Sequence, residues 1–173
     1  MTARRGRITR CLAAVLAAVA MAATVAEAID VRSWDQIITN VNQRFVVLSA
    51  FDDKAVLDKE TQLVWLRSPV TEERFNDARG LCTQAGLGRR GWRLPSLEEL
   101  QSLRAPNNLP TGHPFLNIVP GYYWTSTRDS LSGRIWAVPL NMLGHPVRFD
   151  PEFVPEPVLM TWCVRGGARS SEY

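Results

Sequence analysis

The chain has 173 residues, 46% of them hydrophobic, with 20 Lys and Arg against 17 Asp and Glu. That length gives room for one domain and little more. Four arginines and one glutamate lie in residues 1–28, so the remainder carries 16 charges of each sign, without the surplus of basic surface that nucleic-acid binding needs.

Residues 1–28 read as a secretory signal peptide. Arg4, Arg5, Arg7 and Arg10 form a basic head, Cys11 to Val25 is an unbroken weakly apolar run, and Ala26-Glu27-Ala28 is a small-x-small cleavage site. The run is shorter than the roughly 20 apolar residues of a spanning helix; an uncleaved anchor is the alternative. Gly6 and Arg7 stand where a twin-arginine signal would have apolar residues, which favours the general secretory route. The expectation is cleavage before Ile29, no membrane span afterwards, and a periplasmic or secreted location. Cys11 leaves with the signal. Cys82 and Cys163, 81 positions apart, then share an oxidising compartment, where a disulfide is expected and two free thiols are the alternative.

Residues 29–44 are expected to form a leading helical segment. Ser33 and Gln36 make a capping box, and Trp34, Ile37, Ile38 and Val41 share one helix face. Phe45 to Phe51 reads as a strand, Asp52-Asp53 as a turn, and Ala55–Asp58 with Leu63–Trp65 as a hairpin. Thr71 is placed to cap a helix with Glu72 and Glu73 in its first turn, Phe75, Ala78, Cys82 and Ala85 on its inner face, and Gly86 at its end. A second capping box, Ser96 with Glu99, follows Pro95 and starts a helix whose stripe is Leu97, Leu100 and Leu103. Residues 104–121 hold four prolines and read as a long surface loop, the kind that usually has a task. Strands are expected at Tyr122–Thr127, Arg134–Leu140, Pro146–Phe149 and Leu159–Arg165, the last carrying Cys163; residues 168–173 read as a disordered tail. Helices early and strands late predict an α+β fold, with two to three short helices, a mixed but mainly antiparallel sheet and one disulfide.

Five ordered blocks carry a family resemblance: AVLDKETQLVW, RGLC, GWRLPSLEELQSL, YYWTST and WCVRGG. Together they make residues 45–167 resemble the Lcl C-terminal domain family, long a domain of unknown function and named after a bacterial collagen-like adhesin. The resemblance implies a C-type-lectin-like fold, related at a distance to the formylglycine-generating enzymes. The adhesin's domain is associated with sulfated polysaccharides and with trimers, so an oligomer is possible by analogy. What transfers residue by residue is scaffold: Trp65, Cys82, Trp92, Arg93, Leu94, Pro95, Glu99, Leu100, Trp124, Cys163 and Arg165.

Catalytic chemistry has little material. The Glu-Pro-Asn and Trp-Asn-Asp signals of calcium-dependent lectins are missing, and Asp52, Asp53 and Asp58 read as turn residues. His113 and His145 are the only histidines, both in expected loops, so neither a metal nor another cofactor is expected. Ser126 has no nucleophile elbow around it, and the two cysteines are committed to each other rather than to formylglycine-type oxidation. The reading is a non-enzymatic binding or adhesion module, its ligand an anionic polysaccharide or another surface group. The alternative is a protein-interaction subunit of an envelope assembly, with an enzyme a third and weaker choice. Ligand-binding candidates are Tyr123, Arg128, Arg134, Trp136 and Arg148, aromatic faces beside guanidiniums on the late strands; a solvated sheet edge is the bland alternative.

Overall fold

The computed structural model describes residues 37–85, 90–104 and 108–166. The signal peptide, the Ser33 capping box with Trp34, the Gly86 helix stop and the tail lie outside the described residues. The short helix α1 (Val41–Arg44) is capped by the Asn40 side chain and leads into β1 (Phe45–Val47). The expected leading helix is therefore not present over Ile37–Asn40, and Ile37 is exposed. The strand expected through Phe51 stops at Val47, because Ser49–Phe51 turns as a 3-10 helix and Asp52 and Asp53 both take positive φ. β2 (Ala55–Asp58) and β3 (Leu63–Leu66) form the expected hairpin.

Glu72 and Glu73 do not start a helix. They form the two-residue strand β4, and α2 (Phe75–Gln84) begins after Arg74. The reason is tertiary: β4 pairs with Met160 and Leu159, and the Trp124 indole N–H donates to the Glu73 carbonyl at 2.7 Å. β5 (Trp92–Arg93) precedes α3 (Leu97–Ser102), whose capping box is formed as expected, with Ser96 Oγ accepting from the Glu99 N–H and Glu99 Oε2 accepting from the Ser96 N–H. Then follow β6 (Gly121–Arg128), β7 (Ile135–Leu140), β8 (Val147–Phe149), β9 (Leu159–Met160) and β10 (Val164–Arg165).

The fold is α+β, with three α-helices among the described residues, and its strands make two five-stranded sheets rather than one. Sheet A runs β1-β2-β3-β10-β5 and is antiparallel throughout; sheet B runs β4-β9-β6-β7-β8, with one parallel pair, β6 and β9. The expected closing strand is thus two strands in two sheets. Thr161–Cys163 is the crossing between them, so Cys163 lies between strands rather than in one. It is bonded to Cys82 on α2, which closes the 81-residue loop.

The core lies where that crossing runs. Trp162 is buried against Trp65, Phe115 and Tyr123, with its indole N–H donating to the Leu66 carbonyl at 2.7 Å. Trp65, Trp92 and Trp124 are buried as well. The 104–121 segment is no free surface loop, since Leu109 and Phe115 anchor it in this core. His113 follows it inward, half-buried, its ring 5.7 Å from that of Phe115; desolvation lowers its pKa.

Asp58, read as a turn residue, ends β2 and is fully buried. Arg44 donates to both its oxygens at 3.0 and 2.9 Å, the Thr61 hydroxyl and Glu60 N–H also donate to it, and Arg44 reaches on to the Ser102 carbonyl at the end of α3. Across the domain Arg93 grips Glu99 with two 2.7 Å bonds and holds the Gly166 carbonyl at 2.8 Å.

Candidate functional site

Three adjacent strands of sheet B bring most of the expected ligand-binding residues to one end. Ladder pairing sets Arg128 opposite Ile135, and Ile135 opposite Phe149; one step on, Trp136 faces Arg148, so this pair leaves the sheet on the other face from Arg128 and the two flank the same end. Arg134 stands immediately before β7. All three arginines are exposed and Trp136 is half-buried. The Arg148 guanidinium carbon sits 5.1 Å from the Trp136 ring centroid, a cation–π stack between cross-strand neighbours. The ladder is irregular between Trp124 and Arg128, and a bulge of this kind re-aims the side chain that follows it. Arg128 lies 5.5 Å from the Phe75 centroid and donates to the Gly133 carbonyl at 3.1 Å.

Phe75 also receives Arg79, whose guanidinium carbon is 5.8 Å from the same ring. Sequence reasoning missed Arg79. Its signal was the i, i+4 spacing from Phe75 on a helix whose inner face the sequence showed. Two cations are thus drawn to one aromatic ring, and neither forms an ion pair among the described residues. Arg148 is less free, because Asp129 Oδ2 accepts from it at 3.0 Å. The hydroxyl and N–H of Ser132 both donate to Asp129 Oδ1, and these bonds, with Arg148, hold the Asp129 carboxyl well below its usual range, at about 2.

Tyr123 does not belong to this surface. It is fully buried, and its hydroxyl donates to the Val119 carbonyl at 2.8 Å while accepting from the Val119 N–H at 3.2 Å. Strand alternation turns Tyr123 inward and leaves its neighbour Tyr122 half-buried, in edge contact with Phe149. Burial pushes the Tyr123 phenol up to about 12. A tyrosine whose folded pKa is raised stabilises the fold fully below its unfolded value of 10.0 and loses that contribution as the pH climbs to about 12. In the difference between the native chain and Tyr123→Phe, absorbance at phenolate wavelengths is therefore expected to show the Tyr123 phenol ionising only near pH 12 or as the fold is lost. A Tyr123 phenolate appearing near pH 10 in the folded protein would contradict this placement.

The polar groups of the Trp124–Thr127 stretch serve the scaffold. Ser126 donates through both its N–H and its hydroxyl to the Pro95 carbonyl, and Thr127 Oγ1 accepts the Leu97 N–H at 2.9 Å. The Trp-Thr-Ser-Thr block thereby fastens the entry of α3 to sheet B. Leu94, Pro95, Glu99 and Leu100 are buried at that junction. Among the described residues no three His, Cys, Asp or Glu side chains converge as a metal site requires, and no helix is long and apolar enough to cross a membrane. A shallow groove of about 440 Å³ follows α2 past Glu73, Asn76, Asp77, Gly80, Leu81 and Gln84, and none of the expected ligand-binding residues line it.

No curated protein matches the chain. Residues 54–165 match the family described as the Lcl C-terminal domain, which spans β2 to β10 and takes in both cysteines, both capping-box residues and the arginine-bearing strands. With most of its length covered by that match, the chain belongs to the Lcl C-terminal domain family, the adhesin-type domain that its five blocks resemble.

Proposed function

We propose that this domain is an exported, non-enzymatic binding or adhesion module that takes an anionic polysaccharide on the β6–β7–β8 end of sheet B. The observation that carries the reading is the pair of aromatic-backed cation sites: Arg148 on Trp136, and Arg79 with Arg128 on Phe75. Guanidiniums held over rings lose less freedom on binding, and the N–H groups that Arg148 and Arg128 do not donate to Asp129 and Gly133 remain available to sulfate or carboxylate oxygens. Arg134 adds charge at the same end. Asp129 is ionised throughout the neutral range and tempers this surface.

Binding to immobilised heparin tests the reading. The Arg128→Ala, Arg148→Ala double variant is expected to bind about tenfold more weakly, the scale of losing one or two charged hydrogen bonds. Raising salt is expected to weaken the native protein too. Undiminished binding by the variant, or binding indifferent to salt, would remove sheet B from consideration. Asp129→Asn is expected to bind more tightly than the native chain.

A second reading, a protein partner within an envelope assembly, is favoured by exposed apolar side chains at the same end. Leu131 in the β6–β7 turn is 95% exposed, and Phe153 and Val154 beyond β8 are 63% and 88% exposed. A folded protein that ignores every glycan but loses a co-purifying envelope protein on Phe153→Ser would select this reading over the first.

A further inference from the structure

One face of sheet A holds two hydrogen-bond donors with no acceptor among the described residues. Trp92 on β5 and Arg165 on β10 are direct partners in the ladder, so their side chains emerge on the same face. Phe51 joins them, its ring centroid 6.0 Å from the Trp92 ring and 6.0 Å from the Arg165 guanidinium carbon. Trp92 is only 3% exposed, yet its indole N–H has no acceptor, and the Nη1 of Arg165 is likewise buried without one.

Trp65 also buries an indole N–H without an acceptor, deep in the core, but only Trp92 has an unpartnered guanidinium nitrogen on its ladder partner. Arg67 and Arg93, half-buried like Arg165, each donate to at least two acceptors, whereas among the described residues Arg165 donates to none and forms no ion pair. Leaving a buried donor unpaired is costly, and more so when it is charged. A scaffold role alone is met by any residue that packs, and gives no reason to carry two unspent donors side by side.

We propose that Trp92 and Arg165 form an oxyanion site, selective for a planar carboxylate such as that of a sugar acid. One carboxylate oxygen accepts from the indole N–H, the guanidinium fork takes the other, and the Phe51 ring closes the side of the site. Charge, planarity and donor count all match: a carboxylate supplies acceptors only, and the fork of arginine matches it in geometry. The site is on the opposite sheet from the Arg128 and Arg148 surface and stands whether or not that surface binds polysaccharide.

The test uses the folded, disulfide-bonded chain with ¹⁵N-labelled tryptophan, titrated at constant ionic strength with glucuronate, glucose or inorganic sulfate. Trp92→Phe identifies the Trp92 indole resonance by its disappearance. That resonance is expected to shift saturably with glucuronate and not with glucose, and Arg165→Gln is expected to weaken the glucuronate response at least about tenfold. Arg165→Lys, which keeps the charge and stem but loses the fork, is expected to weaken it as well, and replaces the glutamine variant if that one does not fold. A Trp92 indole unmoved by glucuronate, or moved equally in both Arg165 variants, would overturn the site. A response to sulfate with none to glucuronate would overturn its selectivity for carboxylate.

Discussion

Replacing Asp58 with alanine is expected to destabilise the domain by about 3–5 kcal/mol, the cost of breaking a buried ion pair from one side. The carboxylate has no exposure and accepts from the Arg44 guanidinium twice, from the Thr61 hydroxyl and from the Glu60 N–H. Without it, Arg44 remains buried with only Glu60 at 3.4 Å and the Ser102 carbonyl as partners. Such a loss is comparable with the whole stability of many domains, so the variant is expected to be largely unfolded at 37 °C. Urea titration followed by tryptophan fluorescence measures it. Asp58→Asn preserves shape and some hydrogen bonds and is expected to lose less. If Asp58→Ala cost under about 1 kcal/mol, the cluster would be a solvated turn after all.

The Cys82→Ala, Cys163→Ala protein is expected to lose a similar amount, about 4–5 kcal/mol in the chain-entropy account for a closed loop of this length. Its mechanism is different, since the bond acts mainly by restricting the unfolded chain. Both sulfurs are buried and join α2 to the crossing between the sheets. The expected signature is therefore a lower denaturation midpoint, with a steeper dependence on urea as the unfolded chain expands. An unchanged midpoint would mean that packing around Trp162 already holds α2 in place.

The parts of the fold legible in the sequence were those set by neighbours in the chain. The Ser96–Glu99 box is complete within four residues and was readable as written. So were the β2–β3 hairpin and the inner face of α2. Where distant partners decided the outcome, the reading failed. Glu72 and Glu73 after a threonine look like a helix start, but their backbones are taken by Met160 and Leu159, nearly ninety positions away in the chain. Leu159–Arg165 contains no glycine or proline to announce a break, so its passage from one sheet to the other was invisible locally. Leu109 and Phe115 looked like loop residues because prolines surround them, and only the aromatic core shows why they are apolar.

The candidate site was legible in the same uneven way. Trp136 and Arg148 were named from strand positions, and register brought them face to face. Tyr122 and Tyr123 could not be told apart, because an adjacent pair always offers one side chain to each face of a strand. Trp92 and Arg165 were grouped with the scaffold by resemblance, and their want of acceptors became visible only with both strands in place. Arg79 was overlooked because attention rested on the late strands alone.

The crossing at Thr161–Cys163 has one further consequence, for the order in which the molecule can be built. β9 and β10 are interior strands, one lying between β4 and β6, the other between β3 and β5. A nascent chain that has not yet reached Leu159 can pair only β1-β2-β3 and β6-β7-β8, and β4 and β5 have no partner strand at all. Neither layer can close until nearly the whole domain has been synthesised. Contacts between such distant parts of the chain also form slowly. A polypeptide of this design completes its two sheets only at the end of synthesis, which suits any chain that must be threaded through a membrane pore before it folds.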